Sequence, residues 1–124
     1  MDLVSVRFIT ADIKRMVSFY ARVTGESPTW RTEDFAELAT PRATLAIAST
    51  RTLQLFGNLP APQPGGAIIE FRVTDVDARY AELKDAIEDL VQPPTTMPWG
   101  NRSLLFRDPD GNLVNLFTRL ETQA

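Results

Sequence analysis

The 124-residue chain predicts an α+β fold: two tandem βαβββ modules whose sheets form an open, barrel-like cup with the helices outside. Three observations predict it. A β-branched, apolar stretch is followed by an aspartate and an amphipathic stretch, once in each half. The halves match in order at an offset of about sixty residues. A Pro- and Gly-rich run, Gly57–Gly66 (GNLPAPQPGG), separates them. With 44 % hydrophobic residues, a single domain with a real core is expected over residues 1–124. It divides into module one (1–56), linker (57–66) and module two (67–120).

The elements follow in order. Leu3–Thr10 (LVSVRFIT) reads as a strand. Asp12 caps a helix in which Ile13, Met16, Val17 and Tyr20 recur at helical spacing, and Gly25 and Pro28 end it. Phe35–Ala39, Ala43–Ala48 and Thr52–Phe56 read as the three strands that complete module one. After the linker, Ala67–Val73 is a strand, and Asp75 caps a helix with Val76, Tyr80, Leu83 and Ile87 on one face. Strands near Thr95–Pro98, Ser103–Arg107 and Leu113–Thr118 follow. Asp108-Pro-Asp-Gly111 turns the chain between the last two, where Asp side chains bond local backbone and Gly111 accepts positive φ.

Strand alternation assigns faces. Val4, Val6 and Phe8, and in module two Ile69, Phe71 and Val73, are expected under the helices. Arg7, Glu70 and Arg72 then face away from them. Leu53-Gln-Leu-Phe56 aligns with Val114-Asn-Leu-Phe117 as the closing strand of each module, which puts Gln54 with Phe56, and Asn115 with Phe117, on the same mixed face. A curved sheet with such a face suits a small ligand.

Composition removes whole classes of chemistry. The chain has no histidine and no cysteine, so no imidazole base, no thiolate nucleophile and no His- or Cys-ligated metal exists. A net charge of −3 argues against nucleic acid as a partner. No apolar run reaches the roughly 18–20 residues of a membrane span, and the N-terminus lacks a signal-peptide pattern. A cytoplasmic protein with no membrane partner is the expectation. No phosphate-cradling glycine loop precedes either helix.

Residues 8–20 (FITADIKRMVSFY) with Gly25, the stretches Asp34-Phe-Ala-Glu-Leu38 and Phe71-Arg-Val-Thr-Asp-Val-Asp77, and the ending Phe106-Arg-Asp-Pro-Asp-Gly-Asn-Leu-Val-Asn115 together resemble the vicinal oxygen chelate proteins. That family includes glyoxalase I, bleomycin-resistance proteins and extradiol dioxygenases. Pro98-Trp-Gly-Asn-Arg102 resembles a segment of its bleomycin-resistance-like branch. The resemblance implies the cup-like fold and a homodimer. Enzymes of the family hold a divalent metal at two places per module, and in that register the positions are Ser5, Gln54, Ile68 and Asn115. None carries a His or a carboxylate, so no metal and no other cofactor is expected.

The resemblance to metal-free members then implies binding rather than turnover: sequestration of a small aromatic or amphipathic molecule, such as an antibiotic or secondary metabolite. Trp30 and Trp99 are candidate stacking surfaces, Phe56 and Phe117 a candidate base, and Arg7, Arg72, Glu70, Gln54 and Asn115 candidate polar anchors. Each has a plainer role as well. The tryptophans fit as core or interface residues, the charged trio as cross-strand ion pairs, and the amides as satisfied buried groups. The alternative function is a lyase or isomerase that works without the metal site and uses Glu70 as base. Asp12, Asp75, Asp108 and Asp110 are read as caps and turn residues.

Overall fold

An aspartate starts each helix, as expected. The Asp12 carboxylate accepts from the Arg15 backbone N–H at 3.2 Å, and that of Asp75 from the Ala78 N–H at 3.1 Å. A computed structural model, in which residues 1–120 are described, places these caps in two repeats of one architecture. The first comprises β1 (Ser5–Thr10), α1 (Ile13–Thr24), β2 (Thr29–Thr32), β3 (Phe35–Ala39) and β4 (Thr44–Ser49), followed by a 3-10 helix over Thr50–Phe56. The second comprises β5 (Ile68–Arg72), α2 (Val76–Leu83), β6 (Asp89–Thr96), β7 (Asn101–Arg107) and β8 (Leu113–Arg119). The chain divides into two compact units, Met1–Gln63 and Pro64–Ala124.

Each unit holds a four-stranded mixed sheet, in the order β1-β4-β3-β2 and β5-β8-β7-β6. The first strand of each unit runs parallel to the last, and the other pairings are antiparallel. Neither sheet closes on itself. The α+β class and the βαβββ order are those the sequence predicts.

In the first unit α1 buries Ile13, Met16, Val17, Tyr20 and Val23 against the middle of the sheet, where Leu38, Leu45 and Ile47 are also buried. Tyr20 stacks on Phe8 with ring centroids 5.6 Å apart. Gly25 ends the helix at φ 74°, and its N–H reaches the Ala21 carbonyl at 2.9 Å. In the second unit Leu104, Phe106, Val114 and Leu116 form the core with Val76 and Leu83 of α2.

Five details differ from the sequence reading. The strand expected near Thr95–Pro98 is β6, which starts earlier, at Asp89, and ends at Thr96. Thr52–Phe56 is part of a 3-10 helix rather than the closing strand. The closing strand is β4, whose residues Thr44–Ser49 already fill the parallel register against Ser5–Thr10. β2 is an additional strand. Val4 and Val6 are exposed rather than covered, because β1 is a sheet edge while α1 packs over β3 and β4. α2 stops at Leu83, so Ile87 falls in a turn where its N–H bonds the Leu83 carbonyl at 3.1 Å.

Two charge pairs tie surface segments to these sheets. The Asp77 carboxylate of α2 receives Arg102 of β7 through two hydrogen bonds, at 2.8 and 3.0 Å. Asp34 receives Arg51 and the Ser49 hydroxyl. Hydrogen bonding by Arg102 and by Arg51 holds both carboxyls below the usual aspartate range. A lowered folded-state pKa contributes stability that is present above the unfolded value and is lost as pH falls through the folded one. The stability difference between the wild type and Asp77→Asn is therefore expected to hold from neutral pH to about pH 5 and to close below about pH 4. Urea unfolding across that range measures it. A difference that persists unchanged at the acid end contradicts the pairing.

No helix among the described residues is long and apolar enough to cross a membrane.

Candidate functional site

The face of the second sheet turned away from α2 gathers four of the expected site residues. Residues directly opposite on paired strands share a face. Glu70 lies opposite Asn115 and Arg72 opposite Phe117; β7 continues these two rows with Leu105 and Ser103, and β6 with Gln92 and Thr95. α2 occupies the other face, where Arg102 binds Asp77 and the Val76 N–H donates to Thr118 Oγ1 at 2.8 Å.

Asn115 is 7 % exposed, and its Nδ2 donates to Glu70 Oε2 at 2.8 Å. That bond fixes the amide, since a flipped group would set two oxygens against each other. Asn115 Oδ1 is then left without a partner among the described residues, as is Gln92 Oε1 in the same row. Glu70 thus orients the Asn115 amide through Oε2.

One row further along, at the C-terminal ends of β5 and β8, a cavity of about 340 Å³ is lined by Arg72, Trp99, Gly100, Asn101, Phe117, Arg119 and Leu120. The turn before β7 builds its wall. Gly100, at φ 95°, reaches the Met97 carbonyl through its N–H (3.1 Å) and accepts from the Leu120 N–H at 3.0 Å. The second bond fastens the turn that carries Trp99 to the end of β8. Trp99 itself is 71 % exposed, so the plainer reading of this residue as a core plug does not describe it. Arg119 was not among the expected residues. The signal was available: it lies two places beyond Phe117 and four beyond Asn115, on the same side of the strand.

A second cavity, about 400 Å³, lies at the opposite end of the same strands, lined by Gly65, Gly66, Ala67, Ile68, Arg107 and Leu113. Its one charged side chain, Arg107, is engaged with the Gly111 carbonyl at 3.0 Å and lies 4.0 Å from Asp89. Glu70 lines neither cavity.

The remaining candidates belong to the first unit and do not form one group there. Arg7 sits over the Phe35 ring, its Cζ 4.9 Å from the centroid. Trp30 pairs with Ala36, which shares the α1 side of the sheet with Ile47, so Trp30 and Arg7 take opposite faces. Gln54 and Phe56 stand exposed on the 3-10 helix, away from the strand face expected for them.

That displacement corrects the metal register too. Phe8 matches Phe71; Phe8 pairs with Ile47, and Phe71 with Leu116. The counterpart of Asn115 is therefore Ala46, not Gln54. The four positions at which the family resemblance expects ligands become Ser5, Ala46, Ile68 and Asn115. Ala46 and Ile68 have no side-chain donor atom, and the Asn115 amide nitrogen is turned to Glu70. Among the described residues no three His, Cys, Asp or Glu side chains come together. The residues present do not fit a divalent metal at this place.

Comparison with known proteins agrees with this architecture. The profile of the Glyoxalase/Bleomycin resistance protein/Dioxygenase superfamily matches residues 2–116. The uncharacterized protein YraH of Bacillus subtilis (strain 168) is 27 % identical over 128 residues, covering 97 % of this chain and all of its own. A glyoxalase/bleomycin resistance protein/dioxygenase family enzyme from Burkholderia phytofirmans PsJN superposes with a TM-score of 0.85 at 21 % identity, covering 97 % of this chain and 100 % of its own. A glyoxalase/bleomycin resistance protein/dioxygenase from Nocardioides gives 0.80 at 24 % identity, over 99 % of this chain and 86 % of the other. At such identities the structural likeness establishes the fold.

Proposed function

The chain belongs to the Glyoxalase/Bleomycin resistance protein/Dioxygenase superfamily, and from that premise we propose that it binds a small aromatic or amphipathic molecule without a metal. The observation that carries this reading is the cavity on the second sheet, where Trp99 and Phe117 offer flat apolar surface beside polar side chains. Such a site supplies stacking and orientation. It contains no nucleophile with a base beside it, and two of the four family metal positions have no donor atom. Sequestration of an antibiotic or secondary metabolite matches these parts.

Thermal-shift screening of chelator-treated protein against planar antibiotics and metabolites, followed by native mass spectrometry of the hits, tests the reading. A hit is expected to bind one per chain, and Trp99→Ala to weaken it by about 2 kcal/mol, roughly thirtyfold. Binding that needs added metal, or that Trp99→Ala leaves unchanged, overturns it.

The same reading takes the chain as a cytoplasmic homodimer. β1 is an edge strand, and it exposes Val6 beside Leu3 and Val4 of the segment leading into it, a surface suited to self-association.

A further inference from the structure

We propose that the ligand of this cavity is an aromatic anion: a flat ring that carries a carboxylate, sulfonate or phosphate, held by Arg72 and Arg119. The inference rests on the binding reading and adds the charge of the ligand to it. Arg72 and Arg119 both line the cavity. Ion pairs among the described residues include those of Arg31, Arg51, Arg79, Arg102 and Arg107, and Arg7 lies over the Phe35 ring. Neither cavity arginine enters one. The carboxylate nearest to Arg72 in the strand register is Glu70, two places back on the same face, and it is bound to Asn115.

In a chain where 16 acidic residues outnumber 13 basic ones, two guanidinium groups with no carboxylate partner among the described residues, at one aromatic-lined hollow, run against the average charge. Guanidinium forks match planar and tetrahedral oxyanions with paired N–H donors, which a lone hydroxyl or amide on a ligand would not use. The register fits that use. Arg72 lies opposite Phe117 across the β5–β8 pair, and Arg119 follows Phe117 by two places, about 7 Å along the strand. A ring resting on Phe117 thus has a guanidinium on each of two sides. Trp99 supplies a second apolar surface from the 97–100 turn.

The test compares two fluorescent probes of one ring skeleton on the full chain: anilinonaphthalene sulfonate, an anion, and its neutral parent, phenylnaphthylamine. The sulfonate is expected to bind saturably and about tenfold more tightly than the neutral probe. Arg72→Gln and Arg119→Gln each remove most of that difference and leave the neutral probe unaffected, while Arg119→Lys keeps part of it. Rising salt weakens only the sulfonate. Both arginines are exposed, so the variants are expected to keep the near-ultraviolet circular dichroism of the parent. Equal affinity for the two probes, or a sulfonate affinity indifferent to both arginine variants, overturns the assignment of charge. If Trp99→Ala weakens both probes in that case, the binding reading stands without it. If Trp99→Ala weakens neither, or no probe saturates, both fail.

Discussion

Phe106→Ala is expected to destabilise the protein by about 3–5 kcal/mol, the largest effect of any single substitution considered. Phe106 is 0 % exposed and lies near the C-terminal end of β7, opposite Leu90 of β6 on one side and Val114 of β8 on the other. Truncation loses the transfer energy of the ring and leaves a cavity that two hydrogen-bonded neighbouring strands cannot close. Urea unfolding monitored by circular dichroism measures it as a lower midpoint at similar slope. A loss under about 1 kcal/mol would show that β7 is not clamped as described. Phe117→Ala supplies the contrast: that ring is half-buried on the opposite face, so its removal is expected to cost less stability and more ligand affinity.

Asp108→Ala is expected to cost about 2–4 kcal/mol, because one buried carboxylate organises the whole turn between β7 and β8. Asp108 is 4 % exposed. Its Oδ1 accepts from the backbone N–H groups of Asp110 (2.9 Å) and Asn112 (3.0 Å), and its Oδ2 from Asn112 Nδ2 at 2.9 Å. Alanine leaves three donors in a partly buried turn without their acceptor. Asp108→Asn retains the Oδ1 contacts but sets an amide nitrogen against Asn112 Nδ2, and an intermediate loss follows. The measurement is again urea unfolding, with both variants compared at neutral pH. Equal stability of Asp108→Asn and Asp108→Ala would contradict a role for the Oδ1 bonds.

Much of this was readable from the chain, and what was not has specific causes. The aspartate caps, the α1 face and the Asp108 turn are local: the partner groups lie within four residues, so spacing alone reveals them. Thr52–Phe56 shows where local pattern fails. Leu53, Leu55 and Phe56 carry enough apolar character for a short strand, yet β4 already occupies the parallel register against β1, and the segment coils instead. Misplacing that strand moved the first-module site from Ala46 to Gln54.

β6 differs in placement. A strand is expected near Thr95–Pro98, yet β6 covers Asp89–Thr96 and runs through Pro93 and Pro94. It can do so because it is an edge strand with register shifts on both sides of Gln92, where missing N–H donors are tolerated. β2 is four residues long and carries Arg31 and Trp30 without an apolar alternation, so nothing local announces it. At the site, period-two alternation placed Glu70, Arg72, Asn115 and Phe117 on one face. It did not reveal that the 97–100 turn brings Trp99 to the end of β8, since the Leu120–Gly100 hydrogen bond joins segments twenty residues apart.

The central claim is a metal-free aromatic site on the second sheet, and Trp99 can report on it directly. The chain has two tryptophans, so Trp30→Phe leaves Trp99 as the sole emitter. Titration of that variant with anilinonaphthalene sulfonate, after exhaustive chelation, is predicted to quench Trp99 emission saturably at one probe per chain. Quenching that appears only on addition of a divalent metal, or that is absent while the probe still binds, would contradict the account.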